Sequence, residues 1–184
     1  MVLPDDLPVP ADDGGCDHLP GEAVPSLALP GTDGEEYNLA LLEGRSVVYA
    51  YPWTGRPGEP LLSDEWDSIP GARGCTPETC GFRDHHADMK AAGTRVFGLS
   101  TQDTAYQSEL AERLALPYPV LSDAGLELTS GLRLPTFEVA GHTLIKRLTL
   151  VLDSGVIARV FYPVFPPDRH AGEVLRWLRD NPAS

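Results

Sequence analysis

Two cysteines, Cys75 and Cys80, stand five positions apart where the sequence predicts the start of a helix. A Gly- and Pro-rich loop precedes them, and Gly93 is placed to end the helix, which we expect over residues 77–92. A helix N-terminus presents unpaired backbone N–H groups and the positive end of the helix dipole. A thiol there ionises more readily, and the thiolate is the reactive form. The pair therefore predicts a redox cycle rather than a structural disulfide.

Other chemistry for these thiols stays open at this point. His85 and His86 follow closely, so zinc coordination by both cysteines and one histidine is an alternative, although the spacing matches no common zinc pattern. Cys75 as an inert buried thiol and Cys80 as a core thiol are further alternatives. The absence of a Cys-x-x-Cys motif argues against the interpretation that the chain is a thiol–disulfide oxidoreductase without peroxidase activity. We expect no cofactor and no metal.

A third cysteine, Cys16, lies far upstream in a Gly- and Asp-rich stretch. We interpret it as a free thiol without a function, and a resolving or intermolecular role is the alternative. Three cysteines so unevenly placed are too few for a disulfide scaffold.

The composition narrows the class of protein. A chain of 184 residues favours one domain, and a net charge of −13 opposes nucleic-acid binding. No apolar run approaches the roughly 20 residues of a membrane helix. The start of the chain lacks the features of a signal peptide, so we expect a cytoplasmic protein, where disulfides are usually transient and catalytic. Residues 1–20 are acidic and Pro-rich and predict a flexible tail, which leaves residues 21–184 as the domain.

The elements that must position the cysteines alternate between strand and helix. We predict a hairpin over 27–39, strands at 47–51, 95–99, 120–121, 144–152 and 156–161, and helices at 104–114, 125–132 and 168–179, the last capped by Asp168. This order predicts an α/β fold in which helices flank a mixed central β-sheet, with an N-terminal β-hairpin.

Several stretches of the chain, in the right order, resemble the peroxiredoxins, and most closely the bacterioferritin-comigratory or Q type. They are residues 29–34, 47–52, 74–76 with Cys80 and 82–84, 96–100, 116–123 and 147–153. The resemblance implies a thioredoxin-like fold. It also implies an antioxidant enzyme, a thiol-dependent peroxidase that reduces hydrogen peroxide and organic hydroperoxides.

The resemblance implies roles for three residues. Cys75 becomes the peroxidatic cysteine, Cys80 the resolving cysteine that closes an intramolecular disulfide, and Arg147 the group that steadies the thiolate and the peroxide. Thioredoxin or a similar dithiol donor would recycle the disulfide, and the Q type suggests a monomer. A one-cysteine peroxidase, and a redox-sensing or metal-binding module built on the cysteine–histidine cluster, remain as alternatives.

The chain departs from the family ahead of Cys75. The family has Pro, three residues, Thr, two residues and then the peroxidatic cysteine, whereas Pro52 lies far upstream here, so residues 53–74 contain an inserted loop. Ala72 occupies the position of the threonine and has no hydroxyl. Thr54 is the candidate replacement if the inserted loop returns to the pocket, and a plain turn residue is the alternative. We expect Trp53, Trp66 and the aromatic stretch 161–165 to line or cover that pocket, and ordinary packing in the core and loop is the alternative.

Helix geometry sets a condition on the disulfide. Five residues of regular helix separate Cys75 and Cys80 by roughly 7.5 Å of rise and about 140° of rotation. A disulfide requires Cα atoms within about 7 Å. We therefore expect the first turn, around residues 76–79, to unwind in each turnover, eased by Gly81.

Overall fold

The computed structural model describes residues 3–4 and 6–183, within which a mixed five-stranded sheet carries helices on its faces. The strands are β1 Leu29–Pro30, β2 Glu36–Tyr37, β3 Arg45–Ala50, β4 Thr94–Ser100, β5 Val120–Ser122, β6 Thr136–Val139, β7 His142–Ile145, β8 Leu148–Asp153 and β9 Val156–Phe161. The α-helices are α1 Cys75–Ala91, α2 Thr104–Leu114, α3 Glu127–Leu132 and α4 Pro167–Asp180. The sheet order is β5-β4-β3-β8-β9. The predicted α/β class with a mixed central sheet is confirmed.

The central strand β3 places the site at one end of the sheet. Its six residues are all buried, and it pairs in parallel with β4 and antiparallel with β8. Ala50, the last residue of β3, is opposite Leu148, the first residue of β8. The chain that leaves β3 towards Thr54 therefore begins beside Arg147, which directly precedes β8.

Alternate residues of β3 face two separate cores. Val47 and Tyr49 pack in the core that contains Phe82 of α1 and the apolar residues of α4. Val48 and Ala50 face the other core, which α3 and the N-terminal segment complete. This alternation is the period-2 pattern of a strand buried on both faces.

The N-terminal segment differs from the expected flexible tail. Leu19 is fully buried, and the side chain of Asp13 bonds to Lys146 Nζ and to the Tyr162 hydroxyl, each at 2.6 Å. Residues 6–20 therefore lie against the body of the protein. The apolar side chains among the Asp, Pro and Gly residues explain the difference, because they bury enough surface to order the segment.

Several element boundaries also differ from the prediction. The strand expected over 144–152 is two strands, β7 and β8, and β7 forms a hairpin with β6. Helix α1 begins at Cys75 rather than at residue 77. Helix α4 has Pro166 at its N-cap, so Asp168 lies within the first turn instead of capping it. No helix in the described part of the chain is both long and apolar enough to span a membrane.

Candidate active site

Cys75 is the first residue of α1 and is only 3 % exposed. Gly74 precedes it with a φ of 106°, a left-handed conformation that favours glycine. A Cβ on Gly74 would also collide with Pro167 at the start of α4. The glycine therefore allows α1 to begin at Cys75 while it packs closely against α4.

Arg147 contacts the thiol directly. Its Nη2 lies 3.1 Å from Cys75 Sγ. The same nitrogen lies 3.2 Å from three backbone carbonyl oxygens, those of Gly71, Ala72 and Arg73. The loop ahead of Cys75 thus holds the guanidinium in place, although Ala72 brings no hydroxyl. The structure brings together these two residues, which the sequence separates by 72 positions.

Glu78 is a site residue that the sequence reasoning missed. It is fully buried and accepts a hydrogen bond from Arg147 Nη1. The available signal was its spacing, since a residue three positions after Cys75 lies on the same face of the helix. Two buried atoms of this pair, Glu78 Oε1 and Arg147 Nε, have no hydrogen-bond partner among the residues described. Arg147 therefore keeps one buried donor free.

Opposing influences act on the ionisation of Cys75. Burial is the largest and raises the pKa of the thiol, and the charge of Glu78 acts in the same direction. The guanidinium of Arg147 lowers the pKa, as does the nearby backbone N–H of Trp53. A helix start alone does not decide the ionisation of so deeply buried a thiol. Arg147 is the side chain that favours the thiolate.

Thr54 lies in the same cavity as Cys75. The cavity has a volume of about 280 Å³, and Trp53, Leu61 and Trp66 of the inserted loop form its apolar wall. Thr54 is 2 % exposed, and its hydroxyl donates to Gln102 Oε1 at 3.1 Å. Since the hydroxyl proton is used on Gln102, the Thr54 oxygen is left with acceptor capacity only.

The inserted loop folds back onto the site. Its Trp66 and Ala72 form a small core with Leu144 of β7, and Trp53 packs against it. Three arginines at the border of the cavity are each paired with a carboxylate: Arg56 with Glu59, Arg73 with Asp67, and Arg113 with Glu109. The loop therefore gives the cavity an apolar wall and a rim of paired charges.

Cys80 is half-buried in the intact part of α1. All three cysteines are free thiols, and the helix is already hydrogen-bonded at its first turn, where Glu78 N lies 3.0 Å from Gly74 O. Gly81 packs against α4, because a Cβ there would lie 3.3 Å from Ala171 Cβ. Its small size therefore serves the contact between the helices in this state.

The remaining candidates lie outside the cavity. Cys16 is buried in the core on the other face of the sheet, where burial raises the pKa of its thiol to about 12. Phe161 packs in the core with α4, and Val164 borders a second cavity of about 330 Å³. His86 packs against Tyr118 at 5.5 Å between ring centroids. Residues 3–4 and 6–183 hold no cluster of three or more His, Cys, Asp or Glu side chains suited to a metal.

Known proteins resemble the chain along most of its length. The family model described as Redoxin matches residues 19–175. The chloroplastic peroxiredoxin Q of Oryza sativa subsp. japonica is 34% identical over 161 residues, which cover 86% of this chain and 66% of that protein. The chloroplastic peroxiredoxin Q of Populus jackii is 33% identical, with 86% and 67% of the two chains covered. The chain thus spans about two thirds of the length of these curated relatives.

A solved structure agrees with the fold. The peroxidoxin BcpB of Mycobacterium tuberculosis superposes with a TM-score of 0.71 and 28% identity, covering 89% of this chain and 99% of that one.

Proposed function

Because this chain belongs to the Redoxin family, within which it is a Q-type peroxiredoxin of thioredoxin-like fold, we propose that it is a thiol peroxidase centred on Cys75. One observation carries the proposal above all others: Arg147 Nη2 lies 3.1 Å from Cys75 Sγ, and both residues are buried. A permanent cation in contact with a buried thiol at a helix N-terminus is the arrangement that an attacking thiolate needs.

In the first step the Cys75 thiolate attacks one oxygen of the peroxide and the O–O bond breaks. The thiolate becomes a sulfenic acid, and the other oxygen leaves as hydroxide or alkoxide, which takes up a proton. Arg147 stabilises the negative charge that moves from sulfur to the leaving oxygen. The Thr54 oxygen accepts a hydrogen bond from the O–H group of the peroxide and so orients the O–O bond towards the thiolate.

In the second step the Cys80 thiol attacks the sulfenic acid on Cys75, and a disulfide and one water molecule form. The intact helix keeps the two cysteines too far apart for this bond, by the rise and rotation given above. The first turn of α1 therefore unwinds before the disulfide closes. Unwinding also frees the segment between the two cysteines, so that Cys75 and Cys80 approach each other.

We also propose a reductant, a class of substrates, an oligomeric state and a location for the protein. A dithiol donor such as thioredoxin reduces the disulfide and restores both thiols. The substrates are hydrogen peroxide and small organic hydroperoxides, for which the apolar cavity wall leaves room. The protein acts as a monomer in the cytoplasm.

The proposal is tested by following peroxide consumption with thioredoxin, thioredoxin reductase and NADPH. We expect Cys75→Ser to abolish turnover. Cys16→Ala is the matched control, because it also removes one buried thiol but in the core on the opposite face of the sheet, and it should turn over like the wild type. Turnover retained by Cys75→Ser would refute the central assignment. Turnover by Cys80→Ala with a monothiol reductant, equal to that of the wild type, would favour a one-cysteine enzyme.

A further inference from the structure

Thr79, the residue directly before Cys80, is held from outside its helix. It is fully buried, and its carbonyl oxygen accepts a hydrogen bond from the Tyr118 hydroxyl at 3.1 Å. Tyr118 lies in the loop before β5 and is itself 6 % exposed. The bond therefore connects the segment between the two cysteines to a part of the fold that need not move in the reaction.

A second tyrosine supports the first. The Tyr49 hydroxyl lies 3.0 Å from the Tyr118 hydroxyl. Because Tyr118 uses its single proton on the Thr79 carbonyl, Tyr49 must be the donor between the two. Burial raises the pKa of both phenols, so both keep their protons at ordinary pH. Donation by Tyr49 polarises the Tyr118 hydroxyl and strengthens its bond to Thr79.

We propose that Tyr118 is a positioning residue, a latch on Thr79 that limits how often the start of α1 unwinds and hence how fast Cys80 reaches Cys75. The inference rests on the proposed function, since it concerns the step that closes the Cys75–Cys80 disulfide. Cys80 cannot swing towards Cys75 without displacing the adjacent Thr79 carbonyl. That displacement leaves a buried tyrosine hydroxyl without its acceptor, which opposes unwinding.

The latch has a consequence for the fate of the sulfenic acid. While α1 stays wound, the Cys75 sulfenic acid remains in the cavity, where a second peroxide can oxidise it to the sulfinic acid. Release of the latch favours the disulfide over this irreversible product. Tyr118 thus sets how the Cys75 sulfenic acid divides between disulfide formation and over-oxidation to the sulfinic acid.

The test measures the two steps separately in Tyr118→Phe by rapid quenching and mass spectrometry of the whole protein. The rate of disulfide formation should rise about two- to tenfold, the range expected for loss of one net hydrogen bond. The rate of sulfenic acid formation should stay unchanged, because Tyr118 does not line the Cys75 cavity. Sulfinic acid formed at a fixed excess of peroxide should fall accordingly.

Two further variants sharpen the result. Tyr37→Phe is the matched control, because it removes a tyrosine hydrogen bond, to Asp33, that does not involve α1. Tyr49→Phe should accelerate disulfide formation less than Tyr118→Phe, since the bond to Thr79 survives but is weakened. The amide-exchange rates at residues 79–82 should rise in Tyr49→Phe and rise further in Tyr118→Phe. If Tyr118→Phe does not fold, the exchange rates of Tyr49→Phe decide whether the tyrosine pair restrains unwinding.

The outcomes separate the two proposals. If wild type forms the Cys75–Cys80 disulfide and Tyr118→Phe closes it no faster than Tyr37→Phe, the latch is wrong and the proposed function stands. An equal change in both chemical steps also overturns the latch, because it indicates general damage. A wild type that forms no such disulfide overturns the resolution step, and the latch with it.

Discussion

A single guanidinium, that of Arg147, serves two buried acidic groups. One is the Cys75 thiol, 3.1 Å away, and the other is the Glu78 carboxylate. Burial raises the pKa of both groups, and Arg147 acts against it at each. The arginine is therefore expected both to favour the thiolate and to make a buried carboxylate tolerable.

We predict that Arg147→Met slows sulfenic acid formation by at least about 100-fold at neutral pH, as expected for loss of a donor to developing charge. Burial and Glu78 then act on Cys75 unopposed by a cation, so the pKa of the thiol rises. The rate of attack should increase with pH over a higher range than in the wild type. Stopped-flow rates between pH 5 and pH 10 give both results, and a profile like that of the wild type would contradict the role of Arg147.

The double variant Glu78→Gln/Arg147→Met is the control for folding. Arg147→Met alone leaves a buried carboxylate unpaired, which typically costs about 3–5 kcal/mol of stability. Neutralising Glu78 removes that cost, so urea unfolding should show the double variant to be more stable than the single one. Its peroxide reaction should nevertheless stay slow, which separates the catalytic from the structural effect.

The sequence anticipates the site residues unevenly. The cysteine pair and Arg147 stand in motifs that the resemblance identifies, and the structure places Arg147 against Cys75. Glu78 escapes notice because an acidic residue in the first turn of a helix is ordinarily a solvent-facing partner of the dipole. Only the tertiary contact with Arg147 reveals its burial.

At the scale of elements, α1 is built so that only its start can unwind. Phe82 stacks on Tyr49 at 4.2 Å between ring centroids, and Met89 is fully buried. Gly81 brings the helix close to α4. The part of α1 after Cys80 is thus fixed by packing between helices and sheet. Residues 75–80 are instead held by local bonds, by the contacts of Cys75 and Glu78 with Arg147, and by the contact of Thr79 with Tyr118.

We predict that oxidised protein loses amide-exchange protection at residues 78–83, whose N–H groups bond to carbonyls of the first turn, and keeps it from Asp84 onward. Closing the disulfide requires the first turn to unwind, whereas the packed remainder gains nothing by moving. Exchange measured by NMR on reduced and oxidised protein shows the difference. Cys80→Ala treated with the same peroxide is the control and should keep its protection. An unchanged first turn in protein that carries the disulfide would rule out unwinding.

The sequence predicts a helix or strand correctly where its capping and turn residues favour the same structure that tertiary packing stabilises. Helix α2 spans Thr104–Leu114 as predicted, and Asp103 caps it by accepting from Tyr106 N at 2.7 Å. The β6–β7 hairpin was missed because its turn uses Ala140 at a φ of 49° and Gly141 at 80°, whereas the usual signal is Asn-Gly. The path of the inserted loop was also beyond prediction, since packing of Trp66 against the distant Leu144 fixes it.

At the scale of the whole molecule, the sheet separates two thiols. Cys75 belongs to the core that α1 and α4 share, whereas Cys16 lies in the core on the other face. The composition of residues 1–20 predicted a flexible tail, in which a resolving or intermolecular role was the alternative to a Cys16 thiol without a function. Burial of Leu19 and the bonds of Asp13 hold the segment in place instead, so Cys16 should take no part in the reaction cycle.

The mass of the whole protein after one equivalent of hydrogen peroxide, followed by peptide mapping, tests the Cys75–Cys80 couple most directly. We predict that the wild type loses two hydrogen atoms, that the mapped bridge joins Cys75 to Cys80, and that Cys16 stays a free thiol. Cys80→Ala should instead gain one oxygen atom, as a sulfenic acid on Cys75. A wild type that gains and retains one oxygen atom, or a bridge that includes Cys16, would contradict the assignment.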